Sequence, residues 1–324
     1  MKIDVHAHIV DRAYLDELSS LMGLTGSMTP DGQTLLRKGG TTVAWYRESF
    51  FDQDLRVRQM DEAGVDIRLV SVSSPSIYEW SASEQPRIAR RSNECLARYC
   101  AAYPSRFKGL AVLPLADADA AMEELRFALD ELGMCGIAIG THVGGRPLNH
   151  PDLERVWALI DSRRVPVVQH PMQPLGADHL DQFELPIRVG FVYETTTALS
   201  RMIYGGIFER YPNFPFVVPH TGGALLTLLE RLDNGYRLFP DCRKNISKMP
   251  SEYAHGLFYD TCSFYGPALM MAHGILGPQQ LLWGTDDPFI GADTSHVDKL
   301  DVSASDKALI LGGNAARIFG IDAV

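Results

Sequence analysis

Short runs of β-branched and other apolar residues alternate along this chain with longer stretches whose apolar positions recur every three or four residues. The short runs fall at 3–9, 67–72, 107–113, 136–140, 165–170, 214–220, 257–262 and 281–285. Such runs suit strands buried on both faces. The longer stretches, at 83–103, 116–132, 151–163, 195–211, 222–236 and 303–319, predict amphipathic helices. Asp117 stands where an N-cap belongs, and Pro151 where a first helical residue belongs. Eight strands in 324 residues give one strand–helix unit per about 40 residues, the spacing of a closed parallel barrel. An open doubly wound sheet would stop at five or six strands, with a glycine-rich phosphate loop after the first. Here the first strand runs into HAHIVDRAY. The expected fold is α/β, a (β/α)8 TIM barrel.

Residues 11–53 break the alternation. They contain GLTGSMTPDGQ and RKGGTT, and so much turn chemistry predicts an insertion of small strands or a lid over the barrel mouth. No composition shift or internal repeat marks a second domain, so 1–324 reads as one barrel domain with 11–53 inserted in it. Hydrophobic residues make up 46% and charged residues 22%, which excludes a disordered or fibrous chain. With 30 basic against 40 acidic side chains the net charge is −10, and no Lys/Arg block could neutralise a nucleic-acid backbone. Five cysteines without a CxxC pair read as buried reduced thiols. The opening MKIDVHAHIV lacks signal-peptide character and no long apolar run is present, so no membrane contact and a cytoplasmic location are expected.

In a parallel barrel, chemistry gathers at the C-terminal ends of the strands. Strand one ends in His6 and His8, which alternation places on one side. Strand five ends in His170, strand six in His220 and strand eight in Asp286. One strand-end histidine is ordinary, whereas four histidines and an aspartate at the same end form a constellation. Imidazole and carboxylate donors suit Zn2+, with Mn2+ the alternative. His220 is either a further ligand or a base beside the metal. Strand four, GIAIGTH, has no lysine to bridge two metals, so one divalent ion is expected.

The motifs KIDVHAH (2–8), YRESFFD (46–52), YPSRFKGLAVLPL (103–115) and GIAIGTHV (136–143) resemble the amidohydrolase superfamily. So do ETTTALSRMIYGGIFERYPNF (194–214), HTGGALLTLLERLDNGY (220–236) and GTDDPF (284–289). The resemblance is narrower to its metal-dependent, non-oxidative decarboxylases of the aminocarboxymuconate-semialdehyde type, and it spans nearly the whole chain. It implies that His6, His8, His170 and Asp286 hold the metal. It implies His220 as acid/base catalyst, with Asp286 sharing the catalytic role. Arg47 would bind substrate carboxylate, and Arg231 would reach into the neighbouring subunit of a homodimer. Phe289 would wall the substrate pocket. The muconate-semialdehyde enzyme has tryptophans flanking the Leu185–Pro186 pair, where this chain has Glu184 and Ile187. Trp45, Trp80 and the other aromatics read as packing residues.

The resemblance implies a decarboxylase of a small aromatic or muconate-like carboxylic acid. A hydrolase of an ester, lactone or carbon–carbon bond would use the same metal and His220. A non-catalytic binding barrel is disfavoured by the full set of inward polar residues.

Overall fold

The computed structural model describes residues 1–176, 178–291 and 293–322. Eight parallel strands follow one another around a single sheet: β1 (Ile3–Ile9), β2 (Ile67–Val72), β3 (Phe107–Val112), β4 (Gly136–Ile139), β5 (Val167–Gln169), β6 (Phe216–Val218), β7 (Phe258–Asp260) and β8 (Leu281–Leu282). The last meets the first. Val5 N donates to Trp283 O at 3.0 Å, His8 N donates to Asp287 O at 2.7 Å, and Ala7 bridges Asp287 in parallel. With helices in the connections, this is the (β/α)8 barrel that the alternation predicts.

Ile3, Val5, Leu69, Val168, Val217 and Leu282 fill the lower barrel, where Ala315 and Phe319 of the helix Asn314–Phe319 pack against them. Both Val5 and His6 serve the interior, which strict alternation forbids. The pairing of β1 with β2 shifts register between Asp4 and Ala7, and that irregularity re-aims the chain. Below it β1 contributes apolar packing; above it, two imidazoles.

The seam between β8 and β1 carries a buried charge network outside the barrel wall. Arg68 Nε donates to Asp4 Oδ2 at 2.9 Å and Arg68 Nη1 to Asp287 Oδ2 at 2.7 Å. Arg56, from the helix Gln53–Ala63, pairs with Asp287 Oδ2 at 2.6 Å and donates to the carbonyl of His8. Thr285 Oγ1 donates to Asp4 Oδ2 at 2.6 Å. Both guanidiniums are fully buried, so two Arg and two Asp must balance one another without help from water.

Residues 11–53 contain more order than their turn chemistry suggests. A helix, Arg12–Met22, starts at Asp11, whose side chain accepts from Ala13 N, and stops at Gly23 with φ 65°. Three antiparallel strands follow, Thr25–Met28, Thr34–Lys38 and Thr41–Tyr46. The helix expected at 195–211 begins earlier, as Phe191–Tyr204, and breaks at Gly205–Gly206 before Ile207–Arg210. The one expected at 303–319 is interrupted by a π-helical turn, Leu309–Gly313. Among the described residues no helix is long and apolar enough to cross a membrane.

Candidate active site

His6, His8, His170 and Asp286 converge at the upper end of the barrel, each offering one donor atom within 4.8 Å of the others. The outer ring nitrogens settle which atoms those are. His6 Nδ1 donates to Asp260 Oδ2 at 2.6 Å and His170 Nδ1 to Pro171 O at 3.0 Å. Ser71 Oγ donates to Ala7 O, so it accepts from His8 Nδ1 at 3.1 Å. Each ring is thereby held with its Nε2 turned toward the cluster, the second contact that orients metal-bound imidazoles. His6 Nε2, His8 Nε2 and Asp286 Oδ1 are buried without hydrogen-bond partners among the described residues. Orphaned buried nitrogen and oxygen atoms in so tight a cluster fit a divalent cation.

The electrostatics agree. Burial pushes His8 down to about 4, and burial together with the neighbouring imidazoles holds His170 well below the usual histidine range. Both are neutral donors at neutral pH. Burial opposes charge on His6 too, but the Asp260 hydrogen bond and Asp286 outweigh it and lift the ring to about 9. Burial also works against the Asp286 carboxylate, yet the neighbouring His220, His6 and His8 rings keep it well below its ordinary value. It remains ionised.

His220 stands outside the four-donor group, with Nε2 3.9 Å from Asp286 Oδ2 and Nδ1 buried without a partner. His220, Thr221 and Asp286 all have left-handed backbones (φ 52°, 54° and 55°), a conformation costing a non-glycine residue about 1–3 kcal/mol. Asp260 helps to hold this strain. Its Oδ1 accepts from Thr221 N at 3.1 Å and from Cys262 N at 2.9 Å, while Oδ2 takes His6. One carboxylate thus couples a metal-facing ring to the turn that carries His220. Gly284 is required beside it, because a Cβ there would lie 2.9 Å from the Cβ of His6.

A cavity of about 500 Å3 opens above the cluster. Trp45, Phe289, Phe191, Ile187 and Val43 supply apolar wall, with Ser73, Ser74, Ser263 and Arg188 as polar points. The structure therefore joins His6, His8, His170, His220, Asp286 and Phe289 in one place. It sets the two proposed substrate arginines apart. Arg47 faces an adjoining cavity of about 370 Å3, with Nη2 3.5 Å from Phe289 O. Arg231 is exposed on the helix Leu225–Leu238 and makes no ion pair among the described residues; Glu230 pairs with Arg237 and Asp233 accepts from Ser251. Of the leucines on that helix that could face a partner, Leu225, Leu226 and Leu229 are buried in their own chain and Leu228 is half-buried.

Trp45, expected as packing, lines the cavity, whereas Trp80 is core. Asp260, Ser71 and Arg188 escaped the strand-end reading. Asp260 had a signal, since it closes β7 within FYDTC. Arg188 had none, lying in the π-helical turn Pro186–Gly190.

A family model described as Amidohydrolase matches residues 3–321. The chain belongs to that family. This amidohydrolase is 29% identical over 333 residues to the 2-amino-3-carboxymuconate-6-semialdehyde decarboxylase of Dictyostelium discoideum, covering 99% of this chain and 92% of that one. It is 32% identical over 289 residues to the gamma-resorcylate decarboxylase of Rhodococcus jostii, covering 83% and 88%. Among solved structures, a dihydroxybenzoic acid decarboxylase from Polaromonas, with bound manganese and 2-nitroresorcinol, superposes with a TM-score of 0.84 at 23% identity, covering 100% of this chain and 98% of that one.

Proposed function

We propose that this amidohydrolase is a metal-dependent, non-oxidative decarboxylase of a small aromatic or unsaturated carboxylic acid. The observation that carries the reading is the convergence of three oriented imidazole Nε2 atoms and one ionised carboxylate beneath a largely apolar cavity. The relatives named above, decarboxylases of conjugated acids, support it.

His6, His8, His170 and Asp286 would hold one divalent ion, which when bound supplies a positive charge to polarise substrate oxygens. Three imidazoles and one carboxylate favour Zn2+, with Mn2+ as the alternative. The chain's own residues do the rest. Phe289, Trp45 and Phe191 exclude water and fix the plane of a conjugated acid. His220 carries a proton to the carbon bearing the carboxylate. That carbon becomes tetrahedral, its bond to the carboxyl carbon breaks, CO2 departs, and the released electron pair restores conjugation. Asp286 keeps His220 and the metal-facing rings in register. Arg47, which faces the adjoining cavity, would reach substrate carboxylate past Phe289. Residues 11–53, which bring Val43 and Trp45 to the cavity, serve as its cover within a single barrel domain.

The working form is a cytoplasmic homodimer in which Arg231 of each subunit completes the other's site. The exposed Phe183 (84%), Tyr193 (66%), Leu238 (69%) and Phe239 (60%) offer the apolar surface that the buried leucines do not.

The test is direct. Metal-loaded protein is incubated with a panel of hydroxybenzoates, muconate-like acids and the corresponding esters and lactones, in 18O-labelled water and separately in D2O, and CO2 release is followed. Release of CO2 with one solvent proton fixed in the product is the expected result. Incorporation of 18O into a cleaved ester or lactone without CO2 would establish a hydrolase instead.

A further inference from the structure

The histidine, acidic and basic side chains lining the cavity, among the described residues, are His170, His220 and Asp286 at its floor and one other, Arg188. Arg188 follows Ile187 in the π-helical turn Pro186–Gly190, which runs directly into the helix Phe191–Tyr204. Its guanidinium carbon lies 6.0 Å from the ring centre of Trp45. Trp45 meets Phe289 edge-on at 5.0 Å, and Phe289 lies 5.6 Å from the ring of His8. A continuous aromatic wall thus has a metal-facing imidazole at one end and a guanidinium at the other.

That guanidinium has no carboxylate within 4.0 Å among the described residues. Glu184, one turn earlier, is engaged elsewhere: its Oε1 accepts from Thr42 Oγ1 at 2.9 Å, while only its backbone carbonyl takes Arg188 N, at 3.0 Å. An exposed arginine at the rim of an apolar cavity, beside an aromatic ring and lacking a counter-ion, can receive a planar anion through paired N–H donors. We propose that Arg188 is a specificity-determining residue that reads a second anionic group on the substrate, so that the preferred acid is a conjugated diacid rather than a monoacid. One carboxylate faces the metal cluster, the ring or diene lies along Phe289 and Trp45, and the second carboxylate sits under Arg188. This rests on the decarboxylase reading for the fate of the first carboxylate, but not for recognition of the second.

The probes are a hydroxybenzoate and the same ring with a second carboxylate, a hydroxyisophthalate. Binding to metal-loaded protein is measured by calorimetry, and CO2 release separately. The diacid should bind about 10- to 100-fold more tightly, the range for a charge-assisted pair. Arg188→Gln should bring that ratio close to one, and Arg188→Lys should keep part of it. A wild-type protein that binds both acids alike, or neither, overturns the proposal. So does an Arg188→Gln variant that weakens both equally. CO2 release decides the other question: a diacid preference that disappears in Arg188→Gln, with no CO2 from either acid, keeps Arg188 as the anion reader and removes the decarboxylase.

Discussion

Replacing Arg68 with methionine would test whether the seam between β8 and β1 is held by charge. The substitution keeps most of the side-chain volume and removes two contacts, at 2.9 Å to Asp4 and 2.7 Å to Asp287. Asp287 retains Arg56 at 2.6 Å, but Asp4 is left with hydroxyl and amide donors and no cation. Two Arg and two Asp become one Arg and two Asp, a net buried charge. Removing one partner of a buried pair costs about 3–5 kcal/mol. The loss must depend on pH. Burial already raises the Asp4 pKa above its ordinary value, with Arg68 the main force pulling it down, so the variant raises it further. A carboxyl whose folded pKa exceeds its unfolded value favours folding at low pH and loses that contribution as pH rises through the folded value. Urea unfolding of metal-free protein, followed by circular dichroism, should therefore show a deficit of about 3–5 kcal/mol near pH 8 that shrinks toward pH 5. The Asp4→Asn, Arg68→Met double variant should be less impaired than Arg68→Met alone at the higher pH. A deficit under about 1 kcal/mol, or one unchanged between the two pH values, would refute the charge balance described for the seam.

Three further outcomes are expected. Asp286→Ala should lose the metal and activity together, whereas His220→Ala should keep about one ion per chain while turnover falls about 10²–10⁴-fold; metal analysis beside rate measurement separates them, and metal lost from His220→Ala would make it a ligand. Because His6 sits at about 9 without metal, ion uptake at neutral pH should release its proton, and calorimetry in buffers of different ionisation enthalpy should find that release fading above about pH 9. Mixing Arg231→Ala chains with His220→Ala chains after dissociation should restore activity, since one site of each heterodimer then holds both residues; verified heterodimers without activity would place Arg231 in its own subunit.

The barrel and the clustering of His6, His8, His170 and Asp286 at one end of it were legible because they repeat. Eight apolar runs at even spacing admit few folds, and strand ends are where such a fold places chemistry. What escaped notice depends on contacts between distant segments. Alternation along KIDVHAH pairs His6 with His8 correctly, but nothing in that string shows the register shift that lets Val5 also face inward. Arg68 within IRLVSV is a charge in a buried strand, which is a signal, yet its partners at 4 and 287 could not be read from neighbouring residues. The helix Arg12–Met22 was marked by Asp11 and Gly23 at its ends and obscured by the turn-rich stretch that follows. Arg188 lies in a π-helical turn that no 3.6-residue period marks, and its position beside Trp45 exists only in three dimensions.

The meeting of β1 and β8 also sets a timetable. The hydrogen bond from Thr285 to Asp4 joins positions 281 apart in sequence, and the two imidazoles of β1 wait across nearly that distance for Asp286. During synthesis the first two donors leave the ribosome early, His170 follows at mid-chain, and the carboxylate arrives with the final strand. Joining such distant ends costs entropy that grows only logarithmically with the span, so the step is late and slow rather than forbidden. An ion met before then finds at most three donors and no closed wall around them. Stable loading of the metal therefore marks a chain that has been translated through β8 and has shut its barrel.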